Sequence, residues 1–475
     1  MSREPSGSRV GLRAERRDRE GRRRFSNSVL AVIGVLVLLA AGLGAAGALQ
    51  GPKVRDAAIN VQAAIERDGQ RLVLEANQAI EPVDPANVRI EPATPADVTS
   101  DGGQIVIQFA DPLHYATTYH VEVDVRGTST GASSTLRHDF TTPDIDVRTL
   151  VRGDAATPDR IVRTSLAGTT DGAVEFEAPT IQEFAVSGDA LVAVTLDDAK
   201  LPSVIVATPA DGRSEPIAIP EARAIRDLAA APGETIFGYV VASYGSENLL
   251  TGGGRLYIRD LADPSGVSKE VTGIGGAPLD VKNWAFVPGT TSVVVQTVDL
   301  QILVVDVVAG GEPLQVGQHS EVRGFLPGTV ELVVADPTGS STIDLTTGEI
   351  RQITLPPIDV GPGLYPGAFL MLDEEHFVEQ FSRFDTSGEF TSALFLSRPD
   401  GIAELYRPPA STSRINAVCL SPNGQFLSVE VVPESGRPDG YTMNPGYTET
   451  TTYFVQIADG TSTSGAPGMS PDWCR

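Results

Sequence analysis

Two cysteines, Cys419 and Cys474, are the only thiols in this chain of 475 residues. Each sits three residues from a proline that starts or ends a turn: Cys419 before Pro422, and Cys474 after Pro471. In an oxidising compartment that symmetry permits a disulfide; two free thiols are the alternative. The five histidines (His114, His120, His138, His319 and His376) follow no H-E-x-x-H or other ligand spacing, so no metal and no cofactor is expected. Asp197-Asp198 and Asp373-Glu374-Glu375-His376 could attract a cation, but solvated acidic turns are the plainer reading. Gly252-Gly253-Gly254 lacks the lysine and following helix of a phosphate loop and reads as a flexible turn. A G-x-S-x-G nucleophile elbow is missing as well. With no catalytic set in the sequence, the expectation is a protein that is not an enzyme.

What could do chemistry is a recognition surface. Two insertions stand out, SYGSENLLTGGGR (Ser243–Arg255) and PESGRPDGYTMNPGYTETT (Pro433–Thr451). Their candidate partner-binding residues are Tyr244, Asn248 and Arg255 in the first, and Arg437, Tyr441 and Tyr447 in the second. Loops of this kind project from a scaffold and carry partners; plain surface loops are the alternative. Trp284 and Trp473 are read as core residues rather than ligand platforms.

The scaffold that must position those loops is written as a repeat. AVCLSPNGQFLSVEVV (Ala417–Val432) reads as two strands around a Pro422-Asn423-Gly424 turn. Weaker copies are AVSGDALVAV at Ala185, AAPGETIFGYVV at Ala230, FVPGTTSVVVQ at Phe286, FLPGTVELVV at Phe325, YPGAFLML at Tyr365 and MSPDWC at Met469. The turn landmarks Ser187, Pro232, Pro288, Pro327, Pro366, Pro422 and Pro471 are spaced by 45, 56, 39, 39, 56 and 49 residues. Blades of a β-propeller repeat every ~40–50 residues. Pro471 lies too near the C-terminus to complete a blade, while RIVRTSLAG and AVEFEAP (from Arg160 and Ala173) lack an inner strand. The C-terminal segment is therefore expected to close the ring over residues 145–475 as the inner strand of its first blade. Seven blades are favoured, with six as the alternative. In that ring Cys419 and Cys474 fall on neighbouring inner strands, where a disulfide would stabilise closure by up to ~4 kcal/mol. The SPNGQFLSVEV and MSPDW turns resemble TolB-like propellers and, more distantly, WD-repeat blades; the resemblance implies the fold more than a function.

Residues 53–143 read as a separate β-sandwich. RLVLEAN, ANVRIEP, QIVIQF, TTYHVEVDV and LRHDFTTP alternate apolar and polar residues between turns rich in Pro, Asp and Gly. The order of Pro112-Leu113, Thr118-Tyr119 and Phe140-Thr141-Thr142 resembles bacterial Ig-like domains of surface proteins. That resemblance implies a spacer or adhesion module.

Residues 1–28 are polar and arginine-rich, and 29–49 form an apolar run of 21 residues without a charge. A helix of that length spans ~31 Å, enough for one membrane crossing. The preceding arginines put the N-terminus in the cytoplasm. A signal peptide cleaved after Ala46-Gly47-Ala48 is the alternative. The total charge is −25, with +5 on residues 1–24 and hence −30 on the rest, so no nucleic-acid partner is expected. Four lysines against 32 arginines is a usage typical of a high-GC genome such as an actinobacterium's. The whole reads as an all-β, single-pass protein of the cell membrane whose C-terminal domains lie outside. It would bind an envelope protein or a cell-wall component without catalysis. A glycan lyase or hydrolase and a passive spacer are the alternatives.

Overall fold

The computed structural model describes residues 29–39, 42, 50–154, 156–166, 172–245, 250–356, 358, 361, 363–384, 390–463 and 465–474. Residues 29–39 are helical and exposed, and the rest of the expected 29–49 span (42 excepted), like the basic tail 1–28, lies outside the described residues. Among the described residues no helix is long and apolar enough to cross a membrane. The chain divides into two compact units: 1–60 with 69–110 and 118–141, and 61–68 with 111–117 and 142–475.

The first unit is a two-sheet sandwich. One sheet orders Val54–Ala58, Arg71–Ala76, Gln104–Phe109 and Ala96–Asp101; the other orders Val88–Glu91, Thr118–Arg126 and Ser133–Thr141. The alternation read from the sequence decides which faces meet. Leu72, Leu74, Ile105, Ile107 and Phe109 are buried from one sheet, and Tyr119, Val121, Val123, Leu136 and Phe140 from the other. Phe140 stacks on Tyr119 (5.3 Å) and meets Phe109 of the opposite sheet edge-on (6.2 Å). On the outer face Glu122 lies between Arg89 (3.1 Å) and Arg137 (2.7 Å), whose hydrogen bonds hold its carboxyl below the ordinary glutamate range.

The second unit is a propeller: among the described residues, seven antiparallel sheets follow one another in chain order, the first with three strands and the others with four. The first strands of the six larger sheets are Ile181–Ser187, Ile225–Ala230, Val281–Phe286, Glu321–Phe325, Tyr365–Met371 and Arg414–Leu420. Each sheet buries both faces, one on its predecessor and one on its successor. Ala185, Val192 and Val204 of the second sheet share a core with Ile225, Phe237 and Tyr239 of the third; Val240, Leu256 and Ile258 on the third's other face join Trp284, Val293 and Leu303 of the fourth. The same hand-over joins sheets four to five, five to six and six to seven. The C-terminal segment then returns to the first sheet. Met469 exchanges both backbone hydrogen bonds with Leu150 (2.8 and 3.0 Å), and the Asp472 amide donates to the Arg148 carbonyl (3.0 Å). Cys419 and Cys474 are joined by a disulfide there, with Cα atoms 5.5 Å apart.

The expected turns are real at six of the seven landmarks, including Pro471, whose carbonyl accepts from the Cys474 amide (2.9 Å). Gly188, Gly233, Gly289, Gly328 and Gly424 each follow the landmark residue or its neighbour, and all adopt φ between 57° and 73°, where a Cβ is strained. The fifth landmark, Pro366, is not a turn. Pro366 lies inside the strand Tyr365–Met371, opposite Phe381, and the turn of that sheet is Asp373–His376. Here the Asp373 carboxylate replaces glycine by accepting from the amides of Glu375 and His376, both at 2.8 Å. Among the described residues no cluster of metal-ligating side chains forms there or elsewhere.

Candidate binding face of the ring

In each four-stranded sheet the first strand slips register against the second soon after it starts. The extra residues are Gln182, one of Asp227 and Leu228, Lys282, Arg323, one of Gly367 and Ala368, and Asn416. A β-bulge frees a side chain from the pleat and re-aims it. Two of these side chains, and a neighbour of a third, reach the start of the next sheet. The Gln182 amide donates to the Ile225 carbonyl (2.8 Å), the Lys282 ammonium to the Ser320 carbonyl (3.1 Å), and Arg226, beside its sheet's bulge, to the Val281 carbonyl (2.8 Å). Elsewhere the second strand makes the link. Gln296 donates to the His319 carbonyl (2.8 Å), Gln380 to the Ile415 carbonyl (3.3 Å), and Glu430 accepts from the Ser470 amide (2.6 Å). Gln182, Gln296, Gln380 and Glu430, all buried, thereby spend their hydrogen bonds on holding neighbouring sheets together.

Antiparallel connections alternate between the two ends of each sheet. Both insertions join a second strand to a third, so both emerge at the same end of the ring, with the links between successive sheets. The first insertion is shorter than its sequence suggests. Tyr244 ends a strand and pairs with Leu250, while Arg255 lies within Leu250–Asp260 opposite Val241. Arg223 approaches the Tyr244 ring (5.8 Å), and Arg255 donates to the Leu279 carbonyl (2.7 Å). Asn248 lies outside the described residues. Gly252-Gly253-Gly254 is strand, not a flexible turn. A Cβ on Gly254 would sit 2.5 Å from the Val241 carbonyl oxygen of the paired strand, so glycine is needed there for close approach.

The second insertion folds back on the ring. Arg152, buried, faces Asp439 of the insertion (2.7 Å) and Asp159 of its own sheet (3.4 Å). It also donates to the carbonyls of Ile181, Gln182 (3.1 Å) and Asn444 (3.2 Å), and its guanidinium lies 3.8 Å from the Tyr441 ring centre. The Tyr441 hydroxyl donates to Asp159; burial first, and that carboxylate second, push the phenol above its ordinary range. Arg152 is thus a clasp across the seventh, first and second sheets, and Tyr441 covers it. Tyr447 lies under Arg414 (4.4 Å) and bridges Pro438, leaving Arg437 beside it exposed.

No protein-family model matches the chain, and no curated protein does. Among solved structures it is similar to TolB from Acinetobacter baumannii, at 10% identity and a TM-score of 0.35 over 81% of each chain. It is also similar to a putative 6-phosphogluconolactonase from Bacteroides fragilis NCTC 9343 (12%, TM-score 0.40, 69% of this chain and 96% of that one). A third is an oligogalacturonate lyase in complex with manganese (13%, TM-score 0.41, 73% and 98%). At these scores none bears on function.

The same end of the ring carries residues that the sequence did not single out. Tyr365 and Phe384 are each 65% exposed, the only aromatic side chains so open among the described residues. Both belong to the sixth sheet, and Phe390 meets Phe384 edge-on at 5.0 Å. They lie 19 and 6 residues apart along the chain, so only strand pairing unites them.

Proposed function

We propose that this chain is a non-catalytic, membrane-anchored binding or scaffold protein of the bacterial cell envelope. Its seven-bladed ring docks an envelope protein or a cell-wall component outside the cell. The observation that carries this reading is the asymmetry of the ring. One end gathers both insertions and the two open aromatic side chains, in a protein with few aromatic residues. Exposed aromatic surface of that kind marks interaction sites. In this reading the sandwich is an Ig-like stalk, and the apolar run 29–49 is an uncleaved anchor with a cytoplasmic N-terminus. Proximity labelling in intact cells from a C-terminal tag tests it. A reproducible set of envelope neighbours, lost when the ring is replaced by an unrelated domain, is expected; identical neighbours with and without the ring would refute it.

A further inference from the structure

The longest outer sheet edge among the described residues belongs to the sandwich. Ser133–Thr141 runs nine residues without a register slip against Thr118–Arg126, whereas the outer strands of the ring run to six at most. Natural edges are blunted with proline, lysine or a bulge. SSTLRHDFT has none of these. Its hydrogen-bond parity is fixed from both ends. The Gly127 amide donates to the Ala132 carbonyl (3.0 Å) and the Thr142 amide to the Thr117 carbonyl (3.0 Å), so the even-numbered residues bond to Thr118–Arg126. Thr135, Arg137, Asp139 and Thr141 therefore turn their N–H and C=O groups outward, and among the described residues no hydrogen bond takes them up. At Ser133 the edge is covered. Its carbonyl oxygen lies 2.7 Å from where a Cβ on Gly51 would sit, and the Ser134 hydroxyl donates to the Pro52 carbonyl. The open stretch is 135–141, and His138 is its midpoint.

The charges on that stretch share its symmetry. On the outer face Arg89, Glu122 and Arg137 form a row across three strands (3.1 and 2.7 Å) that ends at the edge in a cation. Two residues along, the row of Glu91, His120 and Asp139 ends there in an anion, with His120 Nδ1 3.0 Å from Asp139. A second copy running antiparallel about His138 sets each Arg137 opposite the other copy's Asp139, and each Thr135 opposite the other copy's Thr141. All of these residues face their backbone groups outward, so every pair exchanges two hydrogen bonds. Opposite charges and paired threonines are both favourable across a ladder, and like charges directly opposite are not. Moving the axis by one residue sets either Arg137 or Asp139 against its own copy. A two-fold contact uses one surface twice, and this edge complements itself in a single register.

We propose that the sandwich dimerises by antiparallel pairing of 135–141 with the same edge of a second copy, in the register centred on His138. The contact is separate from whatever the ring docks. Cysteine cross-linking of the full-length chain in mild detergent tests the register. Facing residues of a non-hydrogen-bonded pair, as His138 and its copy would be, lie ~4.5 Å apart at Cα, within disulfide reach. Under copper-phenanthroline oxidation H138C should give a covalent dimer several-fold more abundant than R137C or D139C give. The parent, whose two cysteines pair with each other, should give none. Light scattering on the same preparation tests the charges. R137D and D139R should each cut the dimer fraction several-fold, and R137D/D139R should restore it. The double exchange still sets an acid opposite Glu122 within each copy, so recovery reports the contact between copies. Both side chains are exposed, and the variants should keep the parent's circular-dichroism melting profile. Equal cross-linking at 137, 138 and 139, a monomer at every concentration, or no recovery in the double exchange overturns the proposal. A dimer indifferent to all three charge variants also overturns it, because association then lies elsewhere. Cross-links from H138C to a different protein overturn it in favour of a foreign strand on this edge.

Discussion

Two seams of the ring are built from different materials. Where the seventh sheet meets the first and second, closure is covalent and ionic: Cys419–Cys474, the buried Arg152–Asp159–Asp439 cluster, and Glu430 on the Ser470 amide. Between the fifth and sixth sheets a small apolar cluster of Leu326, Val333, Met371 and Phe377 makes the contact. Arg323 lies over the Phe369 ring (4.8 Å), and Arg351 pairs with Glu331 (2.6 Å) and Glu374 at the surface. The first seam joins chain segments separated by hundreds of residues, so nothing local restores it once open. The second joins sheets that follow each other in sequence, and loop closure there costs little. Bonds are concentrated where chain connectivity gives least help. The open aromatic strip sits on the sixth sheet, away from the closure.

That contrast can be broken by mutation, starting with the largest expected effect. Arg152→Ala strands two buried carboxylates and should cost about 3–5 kcal/mol, read as a lowered urea midpoint. An unchanged midpoint would show that the cluster contributes no net stability. Replacing both cysteines by serine should cost about 2–4 kcal/mol. Hydrogen exchange should then rise first in residues 466–474 and 146–151; a uniform rise would mean that the ring unfolds without opening at that seam. Arg323→Ala at the other seam should cost only about 0.5–1 kcal/mol, because one partly exposed cation–ring contact is lost. A loss as large as that of Arg152→Ala would erase the distinction between the seams.

The sequence displayed the ring wherever a turn needed a left-handed residue, because Pro-Gly, Ser-Gly and Asn-Gly announce it. It misled at Tyr365-Pro366-Gly367, where the same letters start a strand, and at Asp373–His376, where a carboxylate does the glycine's work. Moving that landmark to Glu374 turns the spacings of 39 and 56 into 47 and 48, nearer a uniform repeat. The strand Asp146–Val151 belongs with the C-terminus and carries no turn of its own to mark it. The exposed aromatic group was illegible for a related reason. Tyr365, Phe384 and Phe390 meet through strand register alone, and a one-residue bulge near Gly367 decides which residues are opposite. The paired cysteines were legible because each keeps the same distance from its own turn.

Titration gives the finest contrast, because two seams respond to pH with opposite signs. Between the fourth and fifth sheets, Asp336 accepts from the Ser320 amide (2.8 Å) and faces His319 Nδ1 (2.7 Å). The amide first, and His319 second, hold its carboxyl below the ordinary aspartate range. Its contribution is present above the unfolded-state value of about 3.9 and is lost as pH falls through the lower folded one. At the closing seam burial dominates for Asp472 and raises its carboxyl, despite hydrogen bonds from the Arg148 amide (3.1 Å) and guanidinium (3.3 Å). Ionising Asp472 therefore works against the fold, and stability is lost as pH rises from the unfolded value through the raised one. Urea unfolding across the acid range should accordingly separate two variants. Asp336→Asn should be less stable than the parent at neutral pH and converge on it in acid. Asp472→Asn should gain on the parent as pH rises. If both variants track the parent at every pH, neither carboxylate's titration is coupled to its seam, and the polar contacts there act by hydrogen-bond geometry alone.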